Sequence, residues 1–467
     1  MHTPTEKPAM SSTEDNRLQV WMHSYSVASV LEAYPQIFDV WEAIGVTGVL
    51  VSPMPFRPDK RIYDRFDVPT PESSGEASAE ERRQLDRMFD DAKRRQWSIL
   101  LFSPNSGAPI EVPEPLSHSL SEGVLFADPV TERAQAARIL DTLSHFPQAD
   151  GGILDGPEWG YEIAPGHRAN IFDELPPVVE RAAQSLHYDY RELVEAKDRF
   201  FERLHRLEGR TISLHASGGM LGAFHLFGSD PALLNWMKFR ADSLTDFFAT
   251  VFGLVRDVSP NSLLGVGVRS AAFGPLCGYD FARLMHHLDY LLPKHYFWHR
   301  GYDGFLGTVY RWMRVLTDWN RGISDAQALQ VVRAWLGIQL PGVHSALDFE
   351  QGFPNAFFSE VVAEETRRAL AVVDRPDQIV PWVDVGRRPH SGDPVGAGDF
   401  RRILEAAHGA GLRRFVFHHY PNMTPGELAV LRALCGDPQR RLPDAYQPPD
   451  ITPAAARGGG RETPYNR

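Results

Sequence analysis

The sequence is poor in the features that mark disulfide-bonded, metal-binding and membrane proteins. Only two cysteines, Cys277 and Cys435, occur in 467 residues, and no CxxC pair is present. We therefore expect reduced, structural thiols. The chain has no HExxH motif and no uninterrupted apolar run of about 18 residues. These absences predict a protein that has no metal site, uses no cofactor and does not span a membrane.

Basic residues are also fewer than acidic ones, which argues against some classes of binding partner. The 48 lysines and arginines face 60 acidic residues, giving a formal net charge of −12, and no basic block offsets it. A nucleic-acid partner is therefore not expected. The first 17 residues lack the apolar core of a secretory signal peptide, so we expect a cytoplasmic protein. Nothing in the sequence predicts the oligomeric state.

The chain contains eight short apolar segments that alternate with amphipathic helical patterns, as in a parallel sheet. The predicted strands are 18–25, 48–52, 98–102, 151–154, 263–268, part of 288–298, 378–385 and 414–418. Each is followed by polar residues rich in proline and glycine, an asymmetry typical of a (β/α)₈ TIM barrel with its site at the carboxyl ends of the strands. A doubly wound sheet would require a G-x-G-x-x-G fingerprint after the first strand, and none is present.

This barrel is predicted to span residues 18–436, with long βα loops and disordered tails at 1–17 and 437–467. After strand four, residues 176–207 have the pattern of a long helix, and we interpret about 178–228 as a helical insertion. Residues 211–214 could instead be a strand. In that case every later strand number would shift by one.

The most informative stretch is ADGGILDGPEWGYE, which ends strand four. Asp155 terminates the apolar run, and Gly156 and Pro157 then place Glu158 in a loop. Paired carboxylates suit glycoside chemistry, because one can move a proton while the other stabilises an oxocarbenium-like centre. Aromatic rings nearby would offer apolar faces to a sugar.

Other strand ends supply polar and aromatic side chains that we expect to meet at the same mouth. The predicted substrate-binding residues are His23, Tyr25, Trp159, Tyr161, Arg269, Lys294, Tyr296, Trp298, Asp303, Arg387 and His390. The predicted catalytic residues are Glu158, Asp155 and Asp384.

An acid-bearing loop at the end of strand four resembles that of TIM-barrel glycoside hydrolases of the retaining type. The resemblance implies that Glu158 is the proton donor and that Asp384, on strand seven, is its partner. The sequence departs from that pattern, since Pro157 replaces the usual asparagine and strand seven carries Asp instead of Glu. The α-fucosidase and α-galactosidase types use an aspartate at the end of strand four as nucleophile, and Asp155 fits that pattern equally well.

We therefore predict a hydrolase, a glycosidase of carbohydrate metabolism that cleaves an O-glycosidic bond. Two alternatives stay open from the sequence. The barrel could bind a sugar without cleaving it, or Lys294 at the end of strand six could form a Schiff base in a lyase or aldolase. The sugar, its anomer and the choice between retaining and inverting chemistry do not follow from the residues.

Overall fold

Eight parallel strands form the centre of the computed structural model, which describes residues 17–73, 75–104, 128–166, 170–297, 304–384, 396–418, 423–437 and 440. The strands are β1 (Gln19–Ser24), β2 (Val46–Val51), β3 (Ser98–Pro104), β4 (Gly151–Asp155), β5 (Leu263–Val268), β6 (Tyr290–Pro293), β7 (Trp382–Asp384) and β8 (Arg414–His418). The predicted tails lie almost wholly outside the described residues.

The sheet closes on itself. Hydrogen-bonded neighbours follow the order β6-β5-β4-β3-β2-β1-β8-β7. The remaining gap between β6 and β7 is bridged by backbone contacts, in which Val380 N–H donates to the Leu291 carbonyl at 2.9 Å and His295 N–H donates to the Trp382 carbonyl at 2.8 Å. The predicted (β/α)₈ barrel is therefore confirmed, and an open doubly wound sheet is wrong.

Alternation along each strand separates two apolar cores. Residues that point inward form a compact cluster inside the barrel, made of Trp21, Leu50, Leu100, Phe102, Ile153, Leu292, Tyr296, Val380, Trp382 and Val416. Residues that point outward pack against the surrounding helices. Because side chains fill the barrel interior, a ligand of the barrel itself is expected at its mouth.

Helices surround the sheet in chain order. They are α1 (Val27–Ala33), α2 (Gln36–Ala43), α3 (Lys60–Arg65), α4 (Ala79–Arg94), α5 (Pro129–His145), α6 (Pro177–Ser185), α7 (Tyr190–Leu204), α8 (Gly209–His215), α9 (Gly219–Leu226), α10 (Pro231–Val258), α11 (Gly274–Cys277), α12 (Phe281–Leu284), α13 (Phe305–Trp319), α14 (Asp325–Leu336), α15 (Ala363–Leu370), α16 (Ala397–Gly409) and α17 (Pro425–Leu434). Two 3₁₀ turns occur at Ala346–Glu350 and Pro376–Gln378, and a π-helical segment, Phe357–Val362, precedes α15. Among the described residues, no helix is both long and apolar enough to cross a bilayer.

The structure corrects three local expectations. Residues 211–214 lie in helix α8, so the alternative strand numbering is wrong. The long helix predicted at 176–207 is two helices, because Asp189 caps α7 and accepts hydrogen bonds from the N–H groups of Arg191 and Glu192. Strand β7 begins at Trp382, later than the predicted residue 378, which ends a 3₁₀ turn instead.

Candidate functional site

The carboxyl ends of the strands bring two chemically different groups of residues to the barrel mouth. Ile153 points into the barrel, and two-residue alternation therefore turns Asp155 to the same face. The charged side of the mouth consists of Asp155 and Glu158 from the β4 end, Arg269 from the β5 end and Lys294 from the β6 end. The ring side consists of His23, Tyr25, Tyr296 and His418.

Asp155 pairs with Lys294 through one of its two oxygens. The Lys294 Nζ atom lies 3.0 Å from Asp155 Oδ1, and that oxygen is buried. The Asp155 side chain as a whole is 35 % exposed, so atoms of it other than Oδ1 reach solvent. Gly267 makes room for this arrangement, because a Cβ atom there would lie 3.1 Å from Asp155 Oδ1 and 3.3 Å from Trp382 Nε1.

Glu158 is held by the guanidinium of Arg269. Arg269 Nε lies 2.8 Å from both carboxylate oxygens, and Nη2 also donates to Oε1. The two side chains are only 13 % and 5 % exposed. Arg269 also lies 4.7 Å from the ring centroid of Tyr161, which supports its orientation. A planar guanidinium in contact with both oxygens stabilises negative charge on Glu158.

The loop that carries Glu158 is fixed by hydrogen bonds on both sides of that residue. Gly156 takes a φ of +87°, a left-handed conformation that favours glycine, where the chain leaves β4. The Pro157 carbonyl accepts from the Tyr279 hydroxyl at 2.9 Å, and Trp159 N–H donates to the Cys277 carbonyl at 3.0 Å. The position of Glu158 is therefore set by the scaffold.

The two aromatic residues of this loop are buried anchors. Trp159 and Tyr161 are 3 % and 1 % exposed. The Trp159 indole N–H donates to the Arg240 carbonyl at 3.0 Å, and the Trp312 indole N–H donates to the Tyr161 carbonyl at 3.0 Å. In this state the rings hold the loop instead of offering a face to a ligand, and their predicted contact with a sugar stays a prediction.

Glu162 ties the end of the loop to helix α13. Its side chain is fully buried, and its Oε1 atom accepts from the Thr308 hydroxyl at 2.8 Å and from the Arg311 guanidinium. The sequence places these partners about 150 residues later, in an ordinary amphipathic helix. Sequence reasoning gave no signal for this contact, which extends the rigid support of the loop.

The ring side of the mouth is held together by aromatic and imidazole contacts. The Tyr25 hydroxyl lies 2.8 Å from His418 Nε2, and Tyr25 itself is 41 % exposed. The rings of His23 and His418 stack 5.2 Å apart at 15°. Trp382 packs on the ring side, since its ring is 4.8 Å from His23, and its Nε1 atom lies 3.3 Å from where a Cβ atom on Gly267 would stand.

His418 and Trp382 were not among the predicted site residues, although both come from predicted strands. His418 carried a usable signal, because it is the last residue of β8. Trp382 is buried and packs against the rings of His23 and His418.

Five predicted site residues have side chains outside the described part of the chain. Trp298, Asp303, Arg387 and His390 lie outside the described residues. Asp384 ends β7 in register with His418, and only its backbone is described. The roles predicted for these five residues stay predictions.

Two buried ionisable groups lie close behind the mouth. Burial lowers the pKa of His295, which follows Lys294, to about 3. Burial raises the pKa of Glu365, on helix α15, to about 7, opposed by the backbone N–H of Ala272 and by Arg368. Within the described ranges, no group of three or more His, Cys, Asp or Glu side chains is arranged to hold a metal ion.

Comparisons with known proteins find likeness in structure alone. No protein-family model matches the chain, and no curated protein sequence matches it. The PgaB (BpsB) glycoside hydrolase domain of Bordetella bronchiseptica is 11% identical, with 90% of this chain and 99% of that chain covered and a TM-score of 0.47.

Two further solved structures are similar over a comparable length. The catalytic domain of beta-amylase from Paenibacillus polymyxa is 11% identical, with 91% and 99% of the two chains covered and a TM-score of 0.43. A class V chitinase from Nicotiana tobaccum is 9% identical, with 90% and 99% covered and a TM-score of 0.39. Since these TM-scores lie below 0.5, the barrel assignment rests on strand order and closure.

Proposed function

We propose that the protein is a glycoside hydrolase that cleaves an O-glycosidic bond at the barrel mouth. The observation that carries the proposal is the pair of carboxylates after β4. Asp155 keeps one side open to the mouth, and Glu158 follows it three residues later on a rigid loop. Most glycosidases use a pair of carboxyl groups to cleave the glycosidic bond.

Asp155 is suited to the role of nucleophile or general base. Its Oδ1 atom lies 3.0 Å from Lys294 Nζ, which orients the carboxylate, and the side chain stays 35 % exposed. Glu158 is the proposed proton donor. Arg269 binds both of its oxygens and favours the carboxylate, so Arg269 has to move away from Glu158 before that residue can carry the proton. Asp384 stays the alternative partner.

The pairing of Lys294 argues against a Schiff-base enzyme. A lysine attacks a carbonyl as the neutral amine. The Asp155 carboxylate, 3.0 Å away, stabilises the ammonium form instead. We therefore prefer hydrolysis to the lyase or aldolase alternative, which borohydride trapping of a substrate adduct on Lys294 would reveal.

The proposal is tested by assaying the purified protein against a panel of aryl glycosides and oligosaccharides. We expect the wild type to cleave at least one substrate and both Asp155→Asn and Glu158→Gln to lose that activity. Asp150→Asn is the matched control, because Asp150 precedes the same strand at the opposite end of the barrel and accepts from Ile99 N–H at 2.8 Å. Silence across the panel would overturn the proposal and favour a barrel that binds sugar without cleaving it. Full activity in Asp155→Asn would exclude Asp155 from the reaction and leave Asp384 as the partner of Glu158.

A further inference from the structure

A fully buried carboxylate lies outside the candidate site yet contacts the turn behind it. Glu365, on α15, is 3 % exposed. Its Oε2 atom accepts the backbone N–H of Ala272 at 2.8 Å, and its Oε1 atom accepts from Arg368 at 3.2 Å. The preceding segment, Phe357–Val362, is π-helical, a register change that is often found near functional sites.

Ala272 belongs to a short turn that follows β5, residues 269–273, which we call the β5 turn. The turn begins with Arg269, the partner of Glu158. The hydroxyl of the next residue, Ser270, donates to the Lys294 carbonyl at 2.6 Å. Phe273 N–H closes the turn on the Ser270 carbonyl at 2.9 Å. The β5 turn therefore contains Arg269 and is hydrogen-bonded to the backbone of Lys294.

We propose that Glu365 is a positioning residue that fixes the β5 turn and thereby holds Arg269 and Lys294 against the two site carboxylates. The consequence for catalysis rests on the proposed function, whereas the mechanical role does not. A hydrogen bond from a backbone N–H to a carboxylate is stronger than one between neutral groups. An apolar residue at this position would fill the core but would leave the Ala272 N–H without that acceptor.

The cost of burying Glu365 supports this assignment. Removing a carboxylate from water is unfavourable unless hydrogen bonds compensate. Burial raises the pKa of Glu365 to about 7, and the Ala272 N–H and Arg368 oppose that rise by stabilising the charged form. The compensating hydrogen bonds come from Arg368, on the same helix, and from Ala272 N–H in the β5 turn. Of these two partners, the β5 turn is the one that leads to the site.

The test measures how well the two cations are held, without any substrate. Glu365→Ala and Glu365→Gln are compared with wild type by amine-reactive labelling of Lys294, followed by mass spectrometry, and by hydrogen exchange of the peptide that contains the β5 turn. We expect Glu365→Ala to raise both rates roughly tenfold or more, because the lost bond lets the turn open locally. Glu365→Gln retains an amide oxygen for the Ala272 N–H and should stay within about threefold of wild type.

A matched control separates positioning from general destabilisation. Glu427, on α17, is also fully buried and accepts a backbone N–H, that of Thr424, at 2.7 Å. Denaturant is adjusted so that Glu365→Ala and Glu427→Ala have equal free energies of unfolding. Faster labelling of Lys294 in Glu365→Ala alone supports the proposal. Equal labelling in the two variants overturns it.

The positioning role of Glu365 and the proposed hydrolytic activity can be tested separately. If no glycoside is cleaved but Glu365→Ala exposes Lys294, the positioning role stands and hydrolysis falls. If hydrolysis is found, we expect Glu365→Ala to lower kcat more than it changes KM, since the cations orient groups that react. Unchanged kcat together with unchanged labelling would overturn the positioning role alone.

Discussion

On the charged side of the mouth, Asp155 and Glu158 each contact a cation, whereas on the ring side Tyr25, His23 and His418 contact one another. On the charged side the Arg269 and Lys294 side chains are 5 % and 10 % exposed, while Asp155 is 35 % exposed. On the ring side Tyr25 is 41 % exposed, while His23 and His418 are buried. Each side therefore presents one partly exposed group on buried partners, a carboxylate paired with a cation on one side and a ring packed on other rings on the other.

This difference suggests a division of labour within the proposed glycosidase. Ion pairs removed from water are sensitive to the loss of either partner, because the remaining charge has no solvent to stabilise it. Aromatic rings tolerate small displacements and bind sugars through their faces. We therefore expect substitutions on the charged side to affect chemistry and stability strongly, and those on the ring side to affect mainly affinity.

The largest predicted effect is on turnover. With any glycoside that the wild type cleaves, Asp155→Asn should lower kcat about 10²–10⁴-fold, the usual contribution of a residue that transfers a proton or attacks the substrate. Tyr25→Phe, on the ring side, removes one hydroxyl and should change kcat less than tenfold. Steady-state kinetics of both variants checks this. A larger loss of kcat in Tyr25→Phe than in Asp155→Asn would show that the ring side, and not the charged side, contributes most to the chemistry.

The next effect is on stability. Arg269→Gln leaves the Glu158 carboxylate buried without its cation and should lower the free energy of unfolding by about 3–5 kcal/mol. The double variant with Glu158→Gln should recover part of that loss. Urea unfolding measures all three proteins.

Arg401→Gln is the control for loss of an arginine, since Arg401 pairs with Glu405 on an exposed face of α16, with side chains 54 % and 46 % exposed. That change should lower stability by less than about 1 kcal/mol. If Arg269→Gln proved no more destabilising than Arg401→Gln, the pair on the charged side would contribute nothing beyond an ordinary surface contact.

A smaller effect depends on pH and originates behind the charged side. Glu365 has a pKa of about 7 in the folded protein and an ordinary value of 4.5 when unfolded. The folded state therefore binds the proton more tightly, so stability from this group is greatest below pH 4.5 and falls as pH rises to about 7. The fall is at most roughly 3 kcal/mol.

Glu365→Gln should remove that component, so the difference in unfolding free energy between pH 5 and pH 8 should shift in favour of pH 8 relative to wild type. Urea titrations at the two pH values measure it, with Glu427→Gln as the control for neutralising a buried glutamate. An identical pH dependence in wild type and Glu365→Gln would show that Glu365 does not titrate in this window.

The sequence predicts those parts of the molecule that local patterns determine. Strands β5 and β8 were predicted with the bounds that the structure has, because each is a short apolar run between clear breakers. Asp155 and Glu158 were named as site residues from their place after β4. A helix that ends and restarts within 186–189 was missed, since only the Asp189 cap marks the break.

Long-range pairing was beyond reach of the sequence. Arg269 and Lys294 were named as strand-end residues, but nothing indicated which carboxylate each contacts, because Arg269 and Glu158 lie 111 positions apart. Glu365 stands in the run AEETRR, which has the composition of a solvated helix face. Its burial follows from how α15 packs on the β5 turn, a contact across 93 positions.

The smallest predicted effect probes the point where the two sides of the mouth meet. A methyl group at Gly267 would press on Asp155 Oδ1 and on Trp382 Nε1, at 3.1 and 3.3 Å, so both must shift by a few tenths of an ångström. Gly267→Ala should therefore lower the free energy of unfolding by about 1 kcal/mol, the low end of overpacking costs.

Gly152→Ala, on neighbouring β4, is the control, because its Cβ would meet only the Leu101 carbonyl at an ordinary 3.5 Å. That change should be neutral or slightly stabilising, since alanine loses less conformational freedom than glycine on folding. Urea unfolding of the two variants decides the matter, and equal stabilities would mean that Asp155 and Trp382 adjust freely and that the two sides are not mechanically coupled through Gly267.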